Sequence, residues 1–135
     1  MNFASQTEAM VRELDEAYEA IVATAKSLQQ DFFNEEKDFV CYRTFTIRNE
    51  STSMRIEWGR VVYKGNKRMK NPQRINLGKG YTQSVKFMGN MNQNHQLLFN
   101  KYEPQLAVLR ELSDKNRTAR KALLKLQVAA QTHKM

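Results

Sequence analysis

Apolar residues in the first 36 positions recur at steps of three and four, which is close to a heptad spacing. Such a stripe is typical of an amphipathic helix that buries one face. The run Ser5-Gln6-Thr7-Glu8 fits a capping box, so we predict a helix over residues 5–36. The opposite face is acidic and should avoid phosphates. The stripe consists of Met10, Leu14, Ala17 or Tyr18, Ile21, Ala25, Leu28 and Phe32.

From Phe39 the period changes to two, and the residues become β-branched and aromatic, which is typical of strands. Short connections between such strands favour an antiparallel meander, which we place at residues 39–77. The connection Gly65–Pro72 is rich in Gly, Asn and Lys and is predicted as a loop. The strands are predicted at 39–48, at 54 to about 65 and at 74–77, with a turn at 49–52.

Helical spacing returns after the Gly78–Gly80 corner, and we predict a C-terminal helical region over residues 83–132. Pro104 should kink this region or mark a restart. Asn116 falls on the apolar seam, where a polar residue often fixes register or partner number. The predicted fold class is α+β, a single domain over 1–135 with two long helices packed antiparallel and a small three-stranded antiparallel sheet. The apolar residues of both helices recur at nearly heptad spacing. An alternative interpretation is therefore that these stripes pair with a second copy of the chain in a coiled-coil homodimer.

The composition is that of a folded chain, with 135 residues, 41% of them hydrophobic. Cys41 is the only cysteine, which favours a reduced, cytoplasmic compartment. The start of the chain lacks the pattern of a secretion signal, and no apolar run is long enough to span a membrane.

Charge is distributed unevenly along the chain, whose formal net charge is +8. Residues 1–38 contain nine acids and three bases, whereas residues 39–135 contain five acids and nineteen bases. No acid occurs between Glu57 and Glu103. This polarity favours a polyanionic partner, and the other interpretation is simply a basic protein.

The strongest local signal is the basic stretch from Ile56 to Tyr81, which we interpret as a cationic hairpin. Arginine and lysine there are suited to contacting the phosphate backbone of DNA. Protection of a sheet edge against aggregation is the structural alternative. Tyr63 and Trp58 are candidates for base stacking, although Trp58 shares a strand face with apolar residues and is predicted to be core. The predicted phosphate contacts are Arg60, Lys64, Lys67, Arg68, Lys70, Arg74 and Lys79.

A second basic element lies in the C-terminal helix, where Arg117, Lys121 and Lys125 follow a spacing of four. Residues at this spacing form one stripe on a helix. The stripe is predicted as a second phosphate-contacting face, or alternatively as the partner of the acidic first helix.

Catalytic chemistry has little support in the sequence. His95 lies among Asn and Gln and is predicted to be solvated, and His133 lies near the chain end. Cys41 lies in an apolar alternating run and is predicted to pack. We predict no enzyme activity, no metal site and no cofactor. Gly78-Lys79-Gly80 lacks the third glycine of a dinucleotide-binding loop.

Three segments together resemble the MobI family of conjugative transfer proteins. They are Met54-x-Ile56-x-Trp58 running on to Val61-Val62-Tyr63, the corner Lys79-Gly80-Tyr81, and a helix with Leu97-Leu98, Glu103, Leu106-Ala107 and Leu109-Arg110. The resemblance covers about residues 45–112. It implies a non-enzymatic accessory protein that acts at the origin of transfer and helps a separate relaxase engage DNA. A protein–protein adaptor and an RNA-binding protein are the alternatives.

Overall fold

The structure, a computed structural model, describes residues 2–50 and 53–132. One long helix precedes the strands in the chain and a second long helix follows them, in agreement with the predicted α+β fold class. The elements are α1 Phe3–Glu36, β1 Arg43–Glu50, β2 Ser53–Arg60, β3 Tyr63–Lys64, β4 Lys67–Arg68, β5 Gln73–Arg74, α2 Val85–Met88 and α3 Gln93–Thr132.

Helices α1 and α3 pack antiparallel along their apolar seams. Near one end, Lys101 Nζ lies 2.7 Å from Glu35 Oε1, and near the other, Arg120 Nε lies 2.6 Å from Asp15 Oδ1. Asn116 is buried on the seam, and its Nδ2 donates to the Leu14 carbonyl at 3.0 Å. The predicted polar seam position therefore fixes the register of two helices within one chain, and homodimerisation stays a prediction.

The start of α1 differs from the predicted capping box. Helix α1 begins at Phe3, and the Asn2 side chain accepts from the Ser5 backbone N–H at 3.1 Å. Ser5 is therefore in the first turn, and Asn2 is the N-cap. Both residue types cap helices well, so local preference alone does not choose between them.

The main sheet has the order β1-β2-β5 and is antiparallel, which confirms the three predicted strands. The first strand begins at Arg43 rather than Phe39, because the Tyr42 backbone N–H donates to the His95 ring and not to a strand. The third strand is only Gln73–Arg74. A Cβ on Gly59 would lie 2.9 Å from Pro72 Cβ, so glycine permits the close approach of this strand.

The predicted loop after β2 contains structure of its own. Strands β3 and β4 pair antiparallel as a two-residue hairpin, with Tyr63 opposite Arg68 and Lys64 opposite Lys67. Gly65 has a φ of 61° at the turn, a conformation that glycine adopts without strain. The second predicted strand is thus divided into β2 and β3. The predicted turn at 49–52 is only partly described, since residues 51 and 52 lie outside the described ranges.

The core is an aromatic cluster between the helices and the sheet. Phe32 of α1 is fully buried, and its ring makes edge contacts with Phe45, Trp58 and Tyr102 at centroid distances of 5.0, 5.7 and 5.4 Å. The predictions that Trp58 and Cys41 are core residues are confirmed by exposures of 1% and 2%.

The predicted helical region at 83–132 is divided into a short helix, α2, a connection at residues 89–92, and α3. Helix α3 then runs without a break through Pro104, so it does not restart there. Within the described part of the chain, no helix is both long enough and apolar enough to cross a membrane.

Candidate nucleic-acid interface

A buried ion pair fixes the corner that carries Lys79. Both guanidinium NH groups of Arg110 bond to the Glu103 carboxylate, at 2.9 and 3.0 Å, and both side chains are at least 93% buried. Arg110 also donates to the carbonyls of Ile56 at 3.0 Å and Tyr81 at 2.8 Å.

The Glu103 carboxylate accepts two further hydrogen bonds. They come from Trp58 Nε1 and from the Gln83 backbone N–H, both at 2.9 Å. One pair on α3 therefore ties together strand β2 and the turn after Gly80. Buried charges in proteins need this degree of pairing, because desolvation is otherwise costly.

Two arginines lie opposite each other at the open end of the sheet. Arg43 and Arg60 are cross-strand partners in β1 and β2. Arg43 donates to the carbonyls of Met88 and Asn90, at 3.0 and 3.2 Å, and Arg60 donates to the Phe87 carbonyl at 3.1 Å. The arginines therefore bind the C-terminal end of α2, where carbonyls have no helical partner.

A cavity of about 510 Å³ opens beside these arginines. Among the described residues that line it, none carries a carboxylate. The lining residues are Tyr42, Arg43, Arg60, Val61, Val62, Gln73, Asn90, Asn92 and His95. The site is concave, and Arg43 and Arg60 give it positive charge.

The β3–β4 hairpin is anchored at its base and exposed at its tip. Tyr63 donates to the Cys41 carbonyl at 3.0 Å, and the Met69 N–H donates to the Val62 carbonyl at 2.7 Å. Arg68 bonds to Glu36 of α1 at 3.2 Å. Lys64 and Lys67 are exposed.

Nine of the ten predicted contact residues fall into two classes, and the tenth, Arg60, lines the cavity. Arg68 and Arg74 are ion-paired with Glu36 and Glu57, and Arg117 lies 3.4 Å from Asp114. Paired arginines have less capacity for phosphate. The lysines are exposed, and none forms an ion pair within residues 2–50 and 53–132; they are Lys64, Lys67, Lys70, Lys79, Lys121 and Lys125.

The structure brings the hairpin lysines and the arginine cavity close together in the fold, because Val61 and Val62 line the cavity directly before β3. The C-terminal stripe lies on α3 toward the other end of the helix pair, where Arg120 pairs with Asp15. Arg120 is not a member of the stripe, and Arg117 pairs within α3, with Asp114. Among the described residues, no ion pair joins the stripe to α1, and its role as a phosphate-contacting face stays a prediction.

Sequence reasoning missed Arg43 and Gln73 as cavity residues. Arg43 lies in an alternating strand, and only its register opposite Arg60 shows that two cations meet. The sequence did contain a signal for this pairing: Arg43 and Arg60 lie at equal numbers of residues from the turn between the first two strands.

His95 was predicted to be solvated, and this was wrong. It is 3% exposed, and its Nε2 accepts the Tyr42 backbone N–H at 3.0 Å. The ring lies at 5.9 Å from Tyr42 and 5.5 Å from Phe39, between centroids. Burial lowers the pKa of His95, nearby Arg43 lowers it further, and Glu36 acts in the opposite direction.

Acidification is expected to destabilise the protein through His95. Its folded-state pKa is below the ordinary 6.5, so the unfolded chain binds the proton first as the pH falls. The stabilisation is present above 6.5 and is lost as the pH falls toward the folded-state value. Urea unfolding at about pH 7, 6 and 5 measures this loss.

The control for this effect is His95→Gln, which keeps an acceptor but does not titrate. It should flatten the dependence of stability on pH in this window. An unchanged dependence would show that other groups cause the loss. Glu35 and Asp114 also have lowered pKa values, through hydrogen bonds chiefly from Lys101 and Tyr81, but they titrate at lower pH.

Cys41 is a poor nucleophile in this environment. Burial, followed by the hydrogen bond and charge of Glu36, raises the pKa of its thiol to about 12. The thiolate is the reactive form, so little of it exists near neutral pH. Among the described residues, no three His, Cys, Asp or Glu side chains gather in a group that could hold a metal ion.

The fold and site define a small α+β protein with a cationic hairpin, a basic cavity and two long packed helices. The family model described as MobI protein matches residues 7–124, which is most of the chain. The chain belongs to the MobI family. The match extends beyond the resemblance at 45–112 and includes most of α1. No curated protein and no solved structure matches the chain.

Membership in this family indicates an accessory role in mobilisation, the conjugative transfer of DNA. The family is not known as one of enzymes.

Proposed function

We propose that this protein is a non-enzymatic DNA-binding accessory protein that acts at the origin of transfer and helps a separate relaxase engage DNA. The hairpin lysines and the arginine cavity form the main interface, and the stripe Arg117, Lys121 and Lys125 provides a second set of phosphate contacts. The observation that carries the proposal is that the exposed hairpin lysines, Lys64 and Lys67, have no ion-pair partner among the described residues and lie beside a cavity whose described lining contains no carboxylate.

The physical support is electrostatic. Lysines without carboxylate partners keep their full charge for phosphates, and release of counterions from DNA favours binding. The hairpin base is fixed by Tyr63 and Arg68, so the lysines are presented on a defined support. The acidic face of α1 would be repelled by DNA, which orients the molecule with its hairpin toward the phosphates.

Duplex DNA binding should weaken when hairpin charge is removed. The change is Lys64→Gln with Lys67→Gln, and the readout is fluorescence anisotropy with a labelled duplex of about 20 base pairs over a salt titration. Each phosphate contact contributes about 0.9 to the slope of log affinity against log salt, so the slope should become shallower by about 2. Affinity at about 100 mM salt should fall at least roughly tenfold.

The matched control is Arg12→Gln with Lys26→Gln, which removes two charges from exposed positions on α1. Its slope should stay that of the native protein. Equal behaviour of the two variants, or no binding by the native protein, would contradict the proposal. Lys121→Gln with Lys125→Gln tests the second face in the same assay. Stronger competition by single-stranded RNA than by duplex DNA would favour the RNA-binding alternative.

A further inference from the structure

We propose that the cavity beside Arg43 and Arg60 binds one phosphate group, and that in the DNA complex it holds a single backbone phosphodiester. This inference rests on the proposed function for the identity of the polymer. It assigns a defined pocket, in addition to the exposed lysines, to one phosphate.

Positive charge is concentrated at the cavity. Arg43 and Arg60 are cross-strand partners, and like charges directly opposite each other destabilise a sheet. In the part of the chain that the structure describes, no carboxylate lines the cavity to offset these two charges. A bound anion would relieve this repulsion. The start of α3 also borders the cavity, through His95 in its first turn and Asn92 just before the helix, and a helix start favours negative charge.

The two arginines have hydrogen-bond donors available for a ligand. Arg60 uses one guanidinium nitrogen on the Phe87 carbonyl, which leaves further N–H groups for a ligand. Arg43 is held by three carbonyls, those of Tyr42, Met88 and Asn90. Arginine presents its N–H groups in a planar fork that suits two phosphate oxygens.

Both guanidinium groups are held in place by the surrounding backbone. The carbonyls at the end of α2 position both guanidinium groups before any ligand arrives. Gly89 has a φ of 71°, and a Cβ there would lie 3.5 Å from Arg60 and 3.6 Å from Arg43, between Cβ and a terminal guanidinium nitrogen in each case. The two guanidinium groups therefore converge on the same glycine. Preorganised groups lose less entropy on binding.

Capping of α2 is a structural role that the same arginines perform, so replacing either of them would confuse folding with binding. Gln73 offers a better probe. It lines the cavity, lies opposite Arg60 in β5, and is exposed. Gln73→Glu keeps the shape of the side chain and both arginines, and it adds one negative charge to the cavity.

The test compares Gln73→Glu with Gln105→Glu, the same change at an exposed position on α3 outside the cavity. With the labelled duplex, Gln73→Glu should weaken binding about tenfold, because it repels the phosphate and competes for the arginines. Gln105→Glu should weaken binding less than about twofold. Equal effects of the two changes would overturn the inference.

A second measurement does not depend on DNA binding as a whole. Dithymidine phosphate, which contains one phosphodiester, is titrated into the protein while the Nε–H signals of Arg43 and Arg60 are followed by NMR. Saturable shifts in the native protein that are lost in Gln73→Glu support the pocket, and their absence overturns it. If Gln73→Glu binds duplex normally while Lys64→Gln with Lys67→Gln does not, the pocket is wrong and the proposed function stands. If the native protein binds no duplex but its arginine signals shift during the titration, the pocket is supported and the proposed DNA-binding function is wrong.

Discussion

Glu103→Gln is expected to lower the free energy of unfolding by about 3–5 kcal/mol. Glutamine has nearly the same shape as glutamate, so the cost is electrostatic and not a cavity. Arg110 would keep its charge in a buried site without a counter-ion. Moreover, the carboxylate accepts from Trp58 and Gln83, and the NH₂ group of glutamine cannot accept at one of its two positions.

The control is Glu111→Gln on the same helix, where the side chain is exposed. Its effect should lie within about 0.5 kcal/mol. Urea unfolding of both variants gives the difference in the free energy of unfolding when its dependence on urea concentration is the same in both. A loss below about 1 kcal/mol for Glu103→Gln would mean that the buried pair is dispensable. Hydrogen exchange at Gln83 should accelerate more than exchange across β1, because its N–H loses a carboxylate acceptor.

Phe32→Ala is expected to destabilise the protein by about 3–5 kcal/mol. Its ring is fully buried and contacts the rings of Phe45, Trp58 and Tyr102, so alanine would leave a cavity where α1, the sheet and α3 meet. The loss of stability has two parts: the hydrophobic stabilisation of the buried ring, and the contacts that the three neighbouring rings make with it.

Phe33→Ala is the matched control at the adjacent position. Phe33 is 37% exposed, so removing its ring should cost less than half as much as removing Phe32. Thermal and urea unfolding of both variants measure the comparison. Similar losses for the two would show that the aromatic cluster does not dominate the stability of the core.

The long elements were predictable because their patterns are local. The three- and four-residue steps of Leu14 to Phe32 and the alternation around Phe45 each determine a buried face before any tertiary contact exists. The heptad spacing placed Asn116 on the apolar seam of its helix. Only the structure shows that its side chain donates to the Leu14 carbonyl.

The failures concern contacts between distant parts of the chain. His95 has polar neighbours in sequence, and its burial depends on the packing of the first turn of α3 against Tyr42. The short third strand depends on the fit of Pro72 against Gly59. No local propensity encodes either contact.

The candidate interface was predictable as a charge distribution but not as a surface. The sequence counts Arg68 and Arg74 equally with Lys64 and Lys67, whereas the structure pairs the two arginines with carboxylates. Which cations remain available is decided by the positions of Glu36 and Glu57, and these depend on the fold.

The fastening of the small β3–β4 hairpin has a consequence for the kinetics of recognition. Its strands are two residues long and are held to α1 by Arg68 and to the chain before β1 by Tyr63. Binding to DNA would then require only the lysine side chains to become ordered, because the backbone of the hairpin is already fixed. Under the proposed DNA-binding function, we expect association to be governed by diffusion and long-range attraction, so that added salt lowers the association rate more than it raises the dissociation rate.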